Sequence, residues 1–169
     1  MVFKYNKLFI VNVSQESMFI EQELNGMGVA FPGQVTKTDY GVAWCNKNGA
    51  YIFNGTKVQN LTDNKIKTTW DSFYTEEIDV TSQFASHDYT QVGYDPKSKH
   101  IIFLKYNNTG HGDCLIYDMK IAGWVYLDSF FTDAEDKTNF FTSIDNKLII
   151  HENDSNDYIL EYSDTSSTV

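Results

Sequence analysis

The chain has 169 residues, a formal net charge of −10 and a pI near 4.6, and 15% of its residues are aromatic. Its apolar content of 41% is enough to bury a core, which excludes a globally disordered chain. All 13 basic residues are lysines, so the bidentate arginine contacts that read phosphates and bases are absent. The acidic balance also repels nucleic acid, and we therefore predict one folded domain without a dispersed nucleic-acid-binding surface.

Two hairpins are predicted in the N-terminal half of the chain. Residues 2–11 form a weak pattern that turns at Asn6 and Lys7, and residues 41–53 form a stronger one. In the stronger hairpin, the apolar runs GVAWC and AYIF flank the turn NKNG, whose Asn-Gly step favours tight hairpin turns. Residues 14–24 carry only a short apolar stripe, so no helix is predicted there.

Two further hairpins are predicted in the C-terminal half. Residues 91–103 turn at residues 95–98, where Pro96 supplies the φ of about −65° that such turns use. Residues 140–150 turn at Asp145 and Asn146. After the hairpins, residues 55–70 and 113–127 are each predicted to form a further short strand pair, and residues 157–162 begin a third.

The hairpins recur at a regular spacing. Their second strands open at Leu8, Tyr51, Ile101 and Leu148, which is about every 45 residues. This spacing predicts an all-β fold of β-propeller blades, each an antiparallel four-stranded meander. The expected divisions are a partial blade at 1–34, blades at 35–85 and 86–134, and a partial blade at 135–164. A ring needs about four to eight blades, so the chain is a partial propeller, with a β-sandwich of the same meanders as the alternative.

The rarer side chains are predicted to serve packing. Trp44, Trp70 and Trp124 are expected to fill the space within or between blades, as large aromatic side chains do between twisted sheets. Cys45 and Cys114 belong to no CxxC pair or Cys/His cluster, so we predict two buried free thiols.

No motif for catalysis or metal binding is present. The sequence contains no GxSxG, HExxH or phosphate-cradling loop, and its four histidines lack metal-ligand spacing. We therefore predict no enzyme, no catalytic residue, no metal ligand and no cofactor. The acidic segments 133–136 and 152–157 supply oxygen atoms for a hard cation but match no EF-hand loop. No run of about 18 apolar residues occurs, so no membrane span is predicted.

Ligand contacts, if the chain has them, are expected on one rim of the blades. The candidate aromatic side chains are Tyr89, Tyr94 and Tyr106. His111 lies near Asp113 in a glycine-rich loop tip and is a fourth candidate, although a simple hairpin tip explains that segment as well.

Two segments resemble blades of virion propeller proteins from tailed phages. One is TDYGVAWCNKNGAYIFNGTKVQNLT at residues 38–62, and the other is YDPKSKHIIF with CLIYDMKIAGWVYL within residues 94–127. Tail nozzle proteins and packaged-DNA stabilisation proteins carry similar blades. The resemblance implies a virion protein, made in the host cytoplasm, whose partners are other copies or other tail proteins.

The implied function is architectural. Such a protein would form part of a ring or tube, and an acidic lumen would let phage DNA pass with transient contact and without sequence recognition. The alternatives are a carbohydrate- or receptor-binding adhesin module, which would present an exposed aromatic cluster, and a propeller glycosidase, which would need convergent carboxylates near the axis.

Overall fold

The computed structural model describes residues 1–14, 16–78, 87–105, 112–131, 139–152 and 158–162. Within these ranges the chain is all-β, as predicted: four antiparallel sheets of three or four strands follow one another along the chain. A short α-helix, a 3₁₀ turn and a two-stranded ribbon complete the described structure. The sheets fit a partial propeller or a sandwich built from the same meanders.

The first two sheets contain the two N-terminal hairpins. Sheet I has the order β1 (Val2–Phe3), β2 (Lys7–Asn12) and β3 (Phe19–Asn25). A 3₁₀ turn at Pro32–Gln34 leads into sheet II, which has the order β4 (Val35–Thr38), β5 (Gly41–Asn46), β6 (Gly49–Phe53) and β7 (Val58–Asn60). The predicted Asn-Gly hairpin is therefore confirmed, with Asn46 paired to Gly49.

The segment after sheet II differs from the prediction. Instead of a strand pair at residues 55–70, it contains the single strand β7 and the helix α1 (Lys67–Phe73). A ribbon of β8 (Glu76–Ile78) and β9 (His87–Tyr89) follows. The expected strand pair was wrong because Trp70 and Phe73 recur at helical spacing, and burying both on one face stabilises a helix.

The last two sheets contain the C-terminal hairpins, and both hairpins are confirmed. Sheet III has the order β10 (Gln91–Asp95), β11 (His100–Lys105), β12 (Gly112–Asp118) and β13 (Gly123–Phe131). Sheet IV has the order β14 (Asn139–Thr142), β15 (Leu148–Glu152) and β16 (Tyr158–Glu161). Asn146 adopts a φ of 57° in the predicted turn of sheet IV, a conformation that asparagine tolerates well.

The regular hairpin spacing does not mark equivalent strands. Tyr51 lies on the third strand of sheet II, whereas Ile101 and Leu148 lie on the second strands of sheets III and IV. The cause is β4, which pairs in front of the predicted hairpin and makes that hairpin the middle of its sheet. A short strand such as β4, which has no strong turn sequence beside it, cannot be predicted from hairpin patterns alone.

Sheets I to IV stack face to face in chain order, and the two central sheets are buried on both faces. Along their strands, alternate side chains point to opposite neighbours, as the two-residue period of a strand requires. Sheet II directs Ala43, Cys45, Ala50 and Ile52 towards sheet III and Trp44 and Tyr51 towards sheet I. Sheet III directs Ile101, Phe103, Leu115 and Tyr117 towards sheet II and Ile102, Leu104, Cys114 and Ile116 towards sheet IV.

Sheets II, III and IV approach one another along one edge of the stack. Strand β10 lies against both β4 and β14, so these three strands form the inner edge. Gly93 makes the approach possible, since a Cβ there would lie 2.7 Å from Cγ of Phe140. Away from this edge, α1 packs between sheets II and III, in a space that we call the outer gap. Close inner strands with a filled outer gap are typical of propeller blades.

The three tryptophans are packing residues, as predicted. Trp44 is buried between sheets I and II, where it stacks on Tyr51 with ring centroids 5.4 Å apart. Trp70 and Trp124 occupy the outer gap between sheets II and III. Their indole nitrogens donate hydrogen bonds to the carbonyl oxygens of Asn46 (3.0 Å) and Leu61 (3.1 Å). Both indoles therefore fix the outer gap with hydrogen bonds as well as with apolar contact.

Candidate functional site

Tyr94 is buried in β10 and does not present its ring on a rim. Its hydroxyl group donates a hydrogen bond of 3.0 Å to Oδ2 of Asp39, which also forms an ion pair with Lys99. Hydrogen bonding from Lys99, together with that from Tyr94, lowers the pKa of Asp39. Burial, followed by the bond to Asp39, raises the pKa of Tyr94. This cluster links sheets II and III, and all three of its groups are partnered.

Of the other predicted rim residues, the structure describes only Tyr89. Tyr89 is half-buried and stacks on Phe31 with ring centroids 4.3 Å apart. Tyr106 and His111 lie outside the residues that the structure describes. The same is true of residues 133–136 and 153–157, which form most of the two acidic segments considered for a cation. The described residues therefore assemble no exposed cluster from the predicted candidates.

Within the described ranges, the side chains of Cys45, Cys114 and His100 are packed inside the fold. No group of three or more His, Cys, Asp or Glu side chains there could hold a metal ion. Cys45 and Cys114 are buried free thiols, as predicted, and burial raises the pKa of each. His100 lies beside Tyr162 and Asp118 and is largely buried. None of the described helices is long and apolar enough to cross a membrane.

A polar cleft forms where sheets I and II meet α1 and β8. Its volume is about 470 Å³, and its lining residues are Tyr5, Lys47, Asp71, Tyr74, Thr75 and Glu76. Tyr5 enters it from the turn between β1 and β2, and Lys47 from the turn between β5 and β6. Asp71 and Tyr74 come from α1 and its C-terminal cap.

The back of this polar cleft is a chain of hydrogen bonds anchored in the core. Gln34 is fully buried, and its Oε1 accepts hydrogen bonds from the backbone N–H groups of Ala30 (2.9 Å) and Phe31 (3.1 Å). Its Nε2 donates to the hydroxyl oxygen of Tyr74 at 2.8 Å. Tyr74 in turn donates to Oε2 of Glu76 at 2.5 Å. Gln34, Tyr74 and Glu76 thus form a continuous series of hydrogen bonds, and this series holds the carboxylate of Glu76 in a fixed position.

The front of the polar cleft is also held by the backbone. The turn that carries Tyr5 accepts hydrogen bonds from the loop after β3: Gly26 donates to Asn6 (2.7 Å), and Val29 donates to Lys4 (3.0 Å). Gly28 is required there, because a Cβ would lie 1.8 Å from the carbonyl oxygen of Lys4. Hydrogen bonding to the carboxylate of Glu76 raises the pKa of Tyr5. Tyr5 and Tyr74 therefore approach the same carboxylate.

A larger cleft, of about 940 Å³, lies between sheets II and III beside Asp39. Its floor is mostly apolar and includes Ile52, Leu61 and Tyr117. The carboxylate at its edge, Asp39, already pairs with Lys99 and Tyr94. The lining of this cleft is thus more apolar, in proportion, than that of the polar cleft.

The outer faces of the two end sheets are the third candidate surface. Strand pairing places Val2, Phe9, Val11 and Ile20 on the face of sheet I that points away from sheet II. It places Phe141, Ile149 and Ile159 on the face of sheet IV that points away from sheet III. We call these the sheet I face and the sheet IV face.

Both faces combine exposed apolar side chains with one ion pair. Ile20 is 60% exposed, and Ile159 is 68% exposed. Lys7 pairs with Glu23 at 2.5 Å on the sheet I face, and Lys147 pairs with Glu161 at 2.8 Å on the sheet IV face. Each of these ion pairs is neutral overall.

No protein-family model, curated protein or solved structure matches this chain. Its function must therefore be inferred from its geometry. The sequence did not indicate the polar cleft, because Tyr5 and Glu76 are far apart in the chain and form no motif. The only available signal was the helical spacing of Trp70 and Tyr74, which could have placed Tyr74 at the end of a helix.

The inner edge of the stack does not supply an acidic lining. Strands β4, β10 and β14 carry only two charged residues, Lys37 and Asp95. Asp95 is buried and accepts a hydrogen bond of 2.8 Å from the backbone N–H of Ser98 in the turn that follows. The expected acidic lumen therefore has no support in the described inner strands.

Proposed function

We propose that this chain is an architectural element that acts by assembly, as part of a propeller-like ring in the virion of a tailed phage. The observation that carries this proposal is the pair of apolar outer faces at the ends of the stack. Terminal units of a stacked protein normally have a polar outer face, because an apolar face is insoluble without a partner. Here both ends keep exposed apolar side chains.

The packing inside the chain supports the same proposal. Sheets I, II, III and IV already form three successive face-to-face interfaces. A further sheet on the sheet I face or the sheet IV face would continue this arrangement. The outer face of one copy against the opposite outer face of another is a head-to-tail contact, which closes into a ring when the rotation permits.

The charge distribution favours contact between copies at these faces. Two chains of net charge −10 repel each other over most of their surfaces. The sheet I face and the sheet IV face carry self-neutralised ion pairs, Lys7–Glu23 and Lys147–Glu161. The charges of these pairs therefore cancel on the two faces that carry the exposed apolar side chains.

The virion setting is supported by the resemblance of residues 38–62 and 94–127 to phage blades. These segments span most of the two central sheets, II and III. The partners in this proposal are other copies of the chain or other tail proteins. Transient contact with passing DNA would be independent of sequence, since the chain has no arginine for reading bases.

Light scattering on a sizing column tests assembly directly. We expect a defined multiple of 19.4 kDa for the unmodified chain. Ile20→Lys on the sheet I face and Ile159→Lys on the sheet IV face should each shift it to the monomer, because each places an unpaired charge in the contact. Ile121→Lys is the matched control, as Ile121 is 74% exposed in the turn before β13 and outside both faces.

A stable monomer at every concentration would contradict assembly through copies of the chain. So would a multimer that survives both face variants. The variants should keep the circular dichroism spectrum of the unmodified chain, since both positions are exposed before the change.

A further inference from the structure

The polar cleft combines the groups that a sugar needs. Glu76 and Asp71 accept hydrogen bonds, Lys47 and Thr75 donate them, and Tyr5 offers an exposed apolar ring face with a hydroxyl group at its tip. A sugar hydroxyl both donates and accepts, so it matches a mixed set of this kind. The volume of about 470 Å³ falls within the usual range for small-molecule sites.

The charges of the polar cleft favour a neutral ligand. Lys47 makes no ion pair with any described residue, whereas Asp71 pairs with Lys67. An anionic ligand would meet the carboxylate of Glu76, and a cationic ligand would meet the ammonium group of Lys47. A neutral polyhydroxyl ligand can bond to both without placing like charges together.

The carboxylate of Glu76 is ordered before any ligand arrives. The buried Gln34 holds the hydroxyl group of Tyr74, and Tyr74 holds Oε2 of Glu76. Hydrogen bonds from the loop after β3 hold the turn that bears Tyr5. Because these groups lose little freedom on binding, the affinity of a preorganised site is not reduced by an ordering cost.

We propose that the polar cleft binds a sugar unit of a neutral carbohydrate. In this arrangement, the sugar stacks its C–H face on the exposed ring of Tyr5, which is 54% exposed. Two sugar hydroxyl groups donate to the carboxylate of Glu76, and Lys47 donates to a sugar oxygen. This activity is separate from assembly, because the cleft lies between sheets I and II rather than on the outer faces.

Saturation-transfer-difference NMR tests the proposal with a defined set of probes. These are glucose, galactose, N-acetylglucosamine, maltotriose, lactose and chitotriose. We expect saturable binding of at least one probe. Tyr5→Ala and Glu76→Gln should each weaken it on the order of tenfold, because each removes a ring contact or a charged hydrogen-bond acceptor. Tyr40→Ala is the matched control, since Tyr40 is 52% exposed and lies outside the polar cleft.

Three results would overturn the proposal. The first is no saturable binding of any probe, and the second is unchanged binding in both Tyr5→Ala and Glu76→Gln. The third is displacement of the bound probe by the cation N-acetyl-lysine methylamide at equal concentration, which would identify a cation site instead. Tyr5→Ala alters an exposed side chain, so it remains informative even if Glu76→Gln disturbs the hydrogen-bonded chain behind the cleft.

Discussion

Replacing Trp70 tests whether α1 fastens sheet II to sheet III. The indole is fully buried between the two sheets, with its ring centroid 5.2 Å from that of Phe103 in an edge-to-face contact. It also packs on Tyr74 at 6.0 Å and donates a hydrogen bond to the carbonyl oxygen of Asn46. Trp70→Ala removes the ring and the donor together, whereas Trp70→Phe keeps a ring and removes the donor.

The losses in the free energy of unfolding for the two substitutions should differ by the contribution of the buried ring. Truncating a buried tryptophan lowers the free energy of unfolding by about 3–5 kcal/mol. The carbonyl oxygen of Asn46 also loses its side-chain donor, which costs about 1–3 kcal/mol when the group stays buried. We therefore expect a loss of roughly 5 kcal/mol for Trp70→Ala and roughly 2 kcal/mol for Trp70→Phe, by combining these ranges.

Urea unfolding followed by far-ultraviolet circular dichroism measures both values. Ile121→Ala provides the control, and it should stay within about 0.5 kcal/mol of the unmodified chain because Ile121 is exposed. A loss below about 1 kcal/mol for Trp70→Ala would refute the role of the indole between the sheets. Equal losses for the two variants would show that the hydrogen bond, rather than the ring, carries the effect.

Three further predictions concern buried positions. Trp44→Phe should cost less than the equivalent change in α1, because Nε1 of Trp44 is buried without a hydrogen-bond partner in the described structure, and urea unfolding checks this. Gly93→Ala should lower the free energy of unfolding by about 1–3 kcal/mol through a clash with Phe140, and Phe140→Ala should relieve part of that loss in a double-mutant cycle. The thiols of Cys45 and Cys114 should react with a thiol reagent only as fast as the chain opens. Because burial raises their folded pKa values, their contribution to stability is present below the unfolded pKa of about 8.5 and is lost as the pH rises above it. Rapid labelling of the native chain, or stability that stays flat from pH 8 to 10, would contradict this.

Local turn chemistry made the hairpins predictable. The Asn-Gly step at Asn48 and Gly49 and the turn at Pro96 both specify where a strand reverses, and both hairpins are present. Helix α1 was missed because Thr68 and Thr69 are β-branched and suit a strand equally well. The decisive factor was tertiary: burying Trp70 between two sheets overrides a weak local preference.

The candidate sites could not be predicted because they depend on long-range contacts. Tyr94 looked like a rim residue, but its position in β10 buries its ring in the core, and only its hydroxyl group reaches the exposed carboxylate of Asp39. The polar cleft joins a turn of sheet I to the first residue of β8, and no motif connects Tyr5 with Glu76. The stacking order of the sheets determines both the burial of Tyr94 and the position of the polar cleft. Turn sequences carry no information about that order.

The two-sided burial of sheets II and III implies that the free energy of local unfolding differs along the stack and is highest in the two central sheets. In such proteins each unit is stabilised by its immediate neighbours, so units with two neighbours open last. Amide hydrogen exchange should then be slowest in β5, β6, β11 and β12 and fastest in β3 and β16. The least protected strands are those behind the faces proposed for assembly. Docking of another copy would supply their missing neighbour. Each end sheet would then reach its full stability only when the copies assemble.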